Sequence, residues 1–177
     1  MAIEGIIFDF GGVIMRTMDR NPRSALANRF NVSVDTIENL VFSSPSAKLA
    51  ELGKISAHQH WQNVARALEA SEEEIPTIRQ QFFAGDRMDW NLLDYIQSLR
   101  QQYRVALLSN AFDDLRLELT GKSSPTSAYH ISVSDHFLDY FDEIIISAEI
   151  GIAKPDHRIF QYVSTKLNIP LDKNVFI

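Results

Sequence analysis

The stretch GIIFDFGGVI, residues 5–14, places one carboxylate, Asp9, at the end of an apolar run and follows it with two glycines. Three large apolar residues, Ile6 to Phe8, precede the carboxylate without any polar residue between them. A continuous apolar run of this kind predicts a strand that is buried on both faces. The glycines indicate that the strand ends at this point. The sequence therefore predicts a carboxylate held at the end of a buried strand.

Three further apolar runs occur later in the chain: RVALLSN at 104–110, DEIIIS at 142–147 and NVFI at 174–177. Two segments with apolar residues at helical spacing lie between them, NLLDYIQSLRQQY at 91–103 and KPDHRIFQYVSTKL at 154–167. Alternating buried strands and helices are typical of βαβ units. We therefore expect an α/β fold with a parallel, Rossmann-like sheet covered by helices.

Residues 18–88 show helical patterns and no convincing strand. SAHQHWQNVARALEA begins with Ser56 as a candidate helix cap, and SEEEIPTIRQQFF begins with Ser71 and Glu74 in the spacing of a capping box. We expect a helical domain at 18–88, called here the helical insert, placed after the first strand. The core domain then consists of residues 1–17 and 89–177.

The composition excludes several classes of function. The net charge is -6 and the pI is near 5.3, which disfavours a broad nucleic-acid-binding surface. The chain has no cysteine, so it can form neither a disulfide nor a thiolate zinc site. The N-terminal sequence has no basic segment before its short apolar run, and no window approaches the roughly 18 apolar residues of a membrane span. We expect a cytoplasmic protein with a small-molecule substrate and without nucleic-acid or membrane partners.

Polar residues stand at the ends of the predicted strands, where open α/β sheets bind ligands. Asp9 ends the first run, Ser109-Asn110 ends the second, and Lys154 follows the third after a short loop. A carboxylate could attack a phosphoryl or alkyl centre while a hydroxyl and an ammonium bind the resulting charge. Gly11-Gly12 would let the backbone approach the ligand closely. Taken singly, each residue also fits a helix cap, a turn or a solvated surface position, but their order favours a common site.

Three motifs resemble those of the haloacid dehalogenase-like (HAD) hydrolase superfamily in the correct order: FDFGGVI at 8–14, VALLSN at 105–110 and GIAKPDHRIF at 151–160. The helical insert resembles the cap domain that this superfamily carries after its first motif. AELGKISAHQHW at 50–61 is similar to a cap segment of the branch that includes small sugar-phosphate phosphatases and the N-terminal domain of soluble epoxide hydrolases.

The resemblance implies a role for each matching residue. Asp9 would be the nucleophile that forms an aspartyl-enzyme intermediate, Ser109 would bind the transferring phosphoryl group, and Lys154 would stabilise both. Asn110 would shape its loop or touch the substrate. Magnesium would be held by Asp9, by the backbone carbonyl of Gly11 and by an acidic pair after the fourth core strand.

The chain departs from the superfamily pattern at two places. The residue two positions after the nucleophile is usually a second aspartate that acts as general acid and base, and here it is Gly11. A missing general acid typically costs about 10²- to 10⁴-fold in rate. NVFI resembles the start of the fourth motif, whose acidic residues would follow Ile177. We therefore expect a core truncated at the fourth strand, an exposed apolar edge beside the first strand, and weak magnesium binding through Asp9 alone.

The leading hypothesis from the sequence is a phosphatase of a small phosphorylated metabolite that works through an aspartyl phosphate. Two alternatives stay open: a catalytically weak or silent HAD-fold binding protein, or fragment, and a hydrolytic 2-haloacid dehalogenase. In the cap, Glu51, His60 and Trp61 are candidates for substrate contact, although Trp61 fits the cap core better. The five histidines do not have the spacing of a metal site and are expected at the surface. The sequence does not indicate an oligomeric state.

Overall fold

The computed structural model describes residues 2–122 and 136–177 and contains a four-stranded parallel sheet. In chain order the strands are β1 (Gly5–Phe8), β2 (Met15–Thr17), β3 (Asp86–Met88), β4 (Arg104–Ser109), β5 (Glu143–Ile146) and β6 (Asn174–Phe176). The main sheet has the order β5-β4-β1-β6, and all of its pairs are parallel. Each of the four apolar runs of the sequence forms one of these strands, which confirms the α/β prediction.

Helices follow and cover the strands. They are α1 (Asn21–Arg29), α2 (Val34–Phe42), α3 (Pro45–Glu51), α4 (Ala57–Ala67), α5 (Ile75–Phe83), α6 (Trp90–Leu99), α7 (Leu115–Leu119), α8 (Ser147–Ile150) and α9 (His157–Leu167). Neighbouring residues of a strand point to opposite faces of the sheet, and both faces of β1 are buried. Ile6 and Phe8 pack in the cluster that contains Leu93 of α6. Ile7 packs on the other side, in the cluster that contains Ile159 of α9.

The helical insert has its own hydrophobic cluster. Trp61 and Phe82 are among its fully buried members. The predicted caps are present: the Ser56 hydroxyl accepts a hydrogen bond from the Gln59 backbone N–H at 3.1 Å, and the Ser71 backbone N–H donates to the Glu74 carboxylate at 2.9 Å.

The prediction that residues 18–88 contain no strand is wrong at the end of the insert. β3 pairs antiparallel with β2, with Thr17 opposite Asp86 and Met15 opposite Met88. The two strands have only three residues each and carry charged side chains, so neither produces an apolar pattern. This small sheet joins the helical insert to the core on both of its connecting segments.

β6 lies beside β1, as expected for the fourth strand of the resemblance. Val175, Phe176 and Ile177 are between 38% and 51% exposed, so the predicted apolar edge is present in the structure. The end of this strand also supports the backbone of β1. The Asp9 backbone N–H donates to the Ile177 carbonyl at 2.9 Å, and the Ile177 N–H donates to the Ile7 carbonyl at 2.9 Å.

Candidate active site

Asp9 lies directly after β1, at the carboxyl end of the sheet. Its side chain is 29% exposed. One carboxylate oxygen, Oδ1, accepts a hydrogen bond from the backbone N–H of Phe10 at 2.8 Å, and the other, Oδ2, lies 2.7 Å from Nζ of Lys154. The carboxylate is therefore fixed on two sides and partly open to solvent.

Lys154 reaches Asp9 from the loop after β5, which crosses the end of β4. Its Nζ also donates to the carbonyl of Leu108 at 3.2 Å and lies 5.0 Å from the centre of the Phe176 ring. The side chain is 15% exposed. Contacts from β1, β4 and β6 thus hold one ammonium group at the middle of the sheet edge.

Ser109 and Asn110 follow each other at the end of β4. Ser109 is buried and lines the same cleft as Asp9. The Asn110 side chain binds the backbone of Lys154, where Oδ1 accepts from the N–H at 2.8 Å and Nδ2 donates to the carbonyl at 2.9 Å. Of the two roles considered for Asn110, these contacts correspond to shaping the loop.

Gly11 and Gly12 form the turn after Asp9. Gly12 has φ +80°, a left-handed conformation that favours glycine, and its N–H donates to the Met15 carbonyl at 2.8 Å. Gly11 is exposed, and a Cβ atom added to it would have no neighbouring heavy atom within 4 Å. A side chain at Gly11 would therefore meet no steric obstacle beside the carboxylate of Asp9.

A cleft of about 430 Å³ lies between these strand ends and the helical insert. The core contributes Asp9, Ser109 and Lys154, and the insert contributes an aromatic and carboxylate wall that includes Phe42 and Glu51. Sequence reasoning thus anticipated which strand ends meet.

The family of the chain follows from comparison with known proteins. The model of haloacid dehalogenase-like hydrolases matches residues 3–177. The chain belongs to this family. The matched range includes Asp9, Ser109 and Lys154.

The chain is similar to one curated protein and to two solved structures. It is 28% identical to the D-ribitol-5-phosphate phosphatase of Bacteroides thetaiotaomicron over 99% of this chain and 82% of that protein. A HAD family enzyme from Bacteroides thetaiotaomicron, in complex with magnesium and inorganic phosphate, has TM-score 0.70 and 23% identity over 99% of this chain and 84% of its own. The L-2-haloacid dehalogenase of Xanthobacter autotrophicus has TM-score 0.64 and 15% identity, covering 98% and 69%. The two structural likenesses concern the HAD fold.

Buried charge on the insert side of the cleft is paired. Arg23 is 5% exposed, and its guanidinium donates to both oxygens of Asp86 at 3.0 Å and to Glu38 at 2.9 Å. Burial raises the pKa of the Asp86 carboxyl, and the Thr17 hydrogen bond and Arg23 oppose that rise. Glu51 lines the cleft with its carboxylate bound to Lys48 at 3.1 Å. The Arg23–Asp86 pair joins segments 63 residues apart in sequence, and the residue pattern gave no signal for either residue.

The insert also contacts the loop that follows Asn110. Arg79 of α5 lies 2.6 Å from the Asp114 carboxylate and 3.2 Å from that of Glu118. Burial raises the pKa of Asp114, and the Arg79 charge opposes that rise. The Asp113 carboxylate accepts from the first backbone N–H of α4, that of Ala57, at 2.8 Å. These contacts join the insert to the segment after β4, whose Asp114 lines the cleft.

The expectation that the histidines are at the surface is wrong for His60. Its ring is fully buried, with Nδ1 2.9 Å from the Ser46 hydroxyl and Nε2 3.0 Å from the Val41 carbonyl. Because both ring nitrogens have hydrogen-bond partners, the ring can be buried between the helices of the insert. Burial lowers the pKa of His60. His60 and Trp61 are buried in the insert and do not line the cleft, whereas Glu51 does. His130 lies outside the described residues.

The donors for a metal ion are oxygen atoms, but they are few. Among residues 2–122 and 136–177, no group of three or more His, Cys, Asp or Glu side chains is placed to hold a metal ion. The Asp9 carboxylate and the Gly11 carbonyl are of the type that magnesium prefers, and magnesium commonly uses only one or two protein carboxylates. The residues present therefore fit magnesium in kind.

Membrane insertion finds no support among the helices. In the described part of the chain, none is both long enough and apolar enough to cross a bilayer.

Proposed function

We propose that the chain is a phosphatase that removes the phosphoryl group from a small phosphorylated metabolite. The observation that supports this most directly is the 2.7 Å contact between the Asp9 carboxylate and Nζ of Lys154, in a cleft that Ser109 also lines. A fixed carboxylate can attack phosphorus while the ammonium and hydroxyl groups bind the oxygens around it. The relative from Bacteroides thetaiotaomicron carries the name of a phosphatase of this substrate class.

The reaction has two displacement steps. In the first, an oxygen of Asp9 forms a bond to phosphorus while the bond to the leaving oxygen breaks, and the released alkoxide takes a proton from water. In the second, water attacks phosphorus, the bond to Asp9 breaks, and phosphate leaves; the hydroxide formed in the first step takes the proton that the attacking water gives up. Lys154 and Ser109 stabilise the charge on the three remaining phosphoryl oxygens in both steps. Gly11 supplies no carboxylate to protonate the leaving oxygen, so esters with good leaving groups react faster.

The substrate binds between core and cap. We assign residues 1–17 and 89–177 to the catalytic core and 18–88 to the cap that covers the cleft. Gly11 and Gly12 let the backbone approach the phosphoryl group, and Asn110 acts mainly on the loop that presents Lys154. A cleft volume of about 430 Å³ suits a small leaving group. The cytoplasmic location expected from the N-terminal sequence stays a prediction.

Asp9 and the Gly11 carbonyl would hold magnesium. When bound, the ion supplies positive charge next to the phosphoryl oxygens. Among the described residues, Asp9 is the one carboxylate assigned to the ion, and one of its oxygens already binds Lys154. The support for magnesium in this chain is the oxygen donor set and its presence in a HAD family structure of the same fold.

A dehalogenase function is less consistent with the cleft. If the chain resembled the dehalogenases of the superfamily in function, an arginine in the cleft would bind the released halide. Arg23 is the one arginine that lines the cleft among the described residues, and its guanidinium is already bound to Glu38 and Asp86. A calorimetric titration distinguishes a phosphatase from a catalytically silent binding protein, because the silent protein would bind neither magnesium nor orthovanadate.

The test is release of p-nitrophenol from p-nitrophenyl phosphate and of phosphate from D-ribitol 5-phosphate, with and without magnesium. The proposal expects magnesium-dependent turnover that Asp9→Asn abolishes. Turnover that persists in Asp9→Asn overturns the assignment of the nucleophile. Metal-independent halide release from 2-chloropropionate would instead establish the dehalogenase function.

A further inference from the structure

The loops that carry Ser109 and Lys154 hold each other through reciprocal contacts. Asn110, on the loop after β4, binds both the N–H and the carbonyl of Lys154, at 2.8 and 2.9 Å. Ser147, the first residue of α8 on the loop after β5, makes the opposite connection. Its hydroxyl accepts from the N–H of Ala111 at 3.1 Å and donates to the Ala111 carbonyl at 3.2 Å. A side chain of each loop therefore forms two hydrogen bonds to the backbone of one residue in the other loop.

These contacts begin where the sheet ends. The β4–β5 pairing stops with Ser109 opposite Ile146. Beyond that pair, no further backbone pairing of β4 with β5 holds the two segments together. Asn110 and Ser147 are the next residue on each strand, so their side chains continue the connection past the last ladder pair.

The chemistry of the two side chains suits this role. An amide carries a donor and an acceptor in one plane, and the Lys154 N–H and carbonyl determine which end of Asn110 faces each of them. A hydroxyl can accept and donate at the same time. Ser147 is 0% exposed, so its removal would break both hydrogen bonds to the Ala111 backbone at a position that is closed to solvent on the Ser147 side.

We propose that Asn110 and Ser147 are positioning residues that set the separation between the Ser109 hydroxyl and the Lys154 ammonium. We call the four hydrogen bonds the loop clamp. The proposal rests on the proposed function, in which these two groups share the oxygens of one phosphoryl group. A displacement of about 1 Å in such an arrangement can cost about 10²-fold in rate.

The first experiment measures p-nitrophenyl phosphate hydrolysis in Ser147→Ala and Asn110→Ala. We expect kcat to fall about 10- to 100-fold in each variant with a smaller change in KM, because the lost alignment matters most in the transition state. The double variant should lose no more than the worse single variant, since both changes open the same junction. Ser147→Thr keeps the hydroxyl and should recover part of the loss.

Ser164→Ala is the matched control. Ser164 is also a buried serine whose hydroxyl donates to a backbone carbonyl, that of Ile169, but it lies on α9 outside the clamp. We expect its melting temperature to fall while kcat stays within about twofold, as for a loss confined to stability. If Ser147→Ala behaves in the same way as Ser164→Ala, Ser147 is merely structural and the proposal is overturned.

The second experiment does not depend on activity. Amide hydrogen exchange, followed by NMR, reports the protection of the Lys154 N–H, whose direct partner is Asn110. A clamp requires that Ser147→Ala also reduces this protection, and an unchanged value means that the two contacts are independent and refutes the clamp. If Ser147→Ala does not fold, Asn110→Ala serves with the Ala111 N–H as the reporter. If the wild-type protein has no phosphatase activity but Ser147→Ala still reduces the protection of the Lys154 N–H, the proposed function is contradicted and the loop clamp is supported.

Discussion

Substitution of Gly11 by aspartate should restore the general acid that the site lacks. Gly11 lies two residues after Asp9, lines the cleft, and has no heavy atom within 4 Å of the position that a Cβ would occupy. Its φ lies outside the left-handed region, unlike the +80° of Gly12. The first atom of a new side chain therefore meets no neighbour, at a residue that lines the cleft.

The size of the gain should depend on the leaving group. General acid catalysis contributes about 10²- to 10⁴-fold, which corresponds to about 2.7 to 5.4 kcal/mol of activation free energy. An alkoxide such as the one released from D-ribitol 5-phosphate needs a proton as it leaves, whereas p-nitrophenolate is stable without one. We expect Gly11→Asp to raise kcat/KM for the alkyl ester at least about tenfold and that for p-nitrophenyl phosphate much less.

Kinetics on the two esters at several pH values test this expectation. Gly12→Asp is the matched control, because its site is equally open but its φ of +80° strains any side chain. That variant should lose activity on both esters. Asp9→Asn combined with Gly11→Asp should be inactive. An equal gain on both esters, or no gain on either, would refute the conclusion that the missing proton donor limits the rate.

Three further predictions concern stability. Burial lowers the pKa of His60 below its ordinary value of 6.5. The unfolded state therefore binds this proton at a higher pH than the folded state, and the free energy of unfolding should fall as the pH drops below 6.5. His60→Gln should reduce that slope by up to about 1.4 kcal/mol per pH unit in urea denaturation. A Cβ on Gly53, at φ +64°, would lie 2.2 Å from the Ala148 carbonyl oxygen, so Gly53→Ala should destabilise the chain by at least about 1 kcal/mol. Phe82→Ala, at a fully buried position of the insert, should cost about 3 to 5 kcal/mol, and a loss below about 1 kcal/mol would contradict the packing described.

The sequence predicted the part of the site that depends on strand ends. Parallel strands bring their carboxyl ends to one edge, so locating four apolar runs was sufficient to expect Asp9, Ser109 and Lys154 together. The continuous apolar character of Ile6 to Phe8 had a direct structural reason, since helices cover both faces of β1. Strand order beyond this came from the family resemblance.

The remaining part of the site depends on contacts that leave no local pattern. Arg23 and Asp86 are 63 residues apart in sequence. They meet because the pairing of β2 with β3 brings the end of the insert next to its beginning. Ser147 is one small polar residue after a strand, which on sequence grounds resembles an ordinary helix start. His60 was expected at the surface with the other histidines because their spacing does not fit a metal site. Its hydrogen-bond partners, Ser46 and Val41, belong to other helices, so the sequence alone does not identify them.

Arg79 tests whether contacts of the insert with the core affect substrate binding. Its guanidinium neutralises Asp114 at 2.6 Å and Glu118 at 3.2 Å, on the loop and helix that follow Asn110. In Arg79→Gln, the Asp114 carboxylate that lines the cleft loses its cation. A substrate bound beside it would remove water from an unpaired charge, and that cost is taken from the binding energy of the substrate. We expect KM to rise about tenfold, equivalent to about 1.4 kcal/mol, with a smaller change in kcat.

The pH dependence identifies the charge as the cause. Burial already raises the pKa of Asp114 in the presence of Arg79, and loss of the cation should raise it further. The increase in KM should therefore shrink as the pH falls and Asp114 becomes protonated. Arg66→Gln, an exposed change on α4, is the control and should leave KM within about twofold. If Arg79→Gln gives the same KM as Arg66→Gln at every pH, the Arg79 contacts stabilise the fold without contributing to substrate binding.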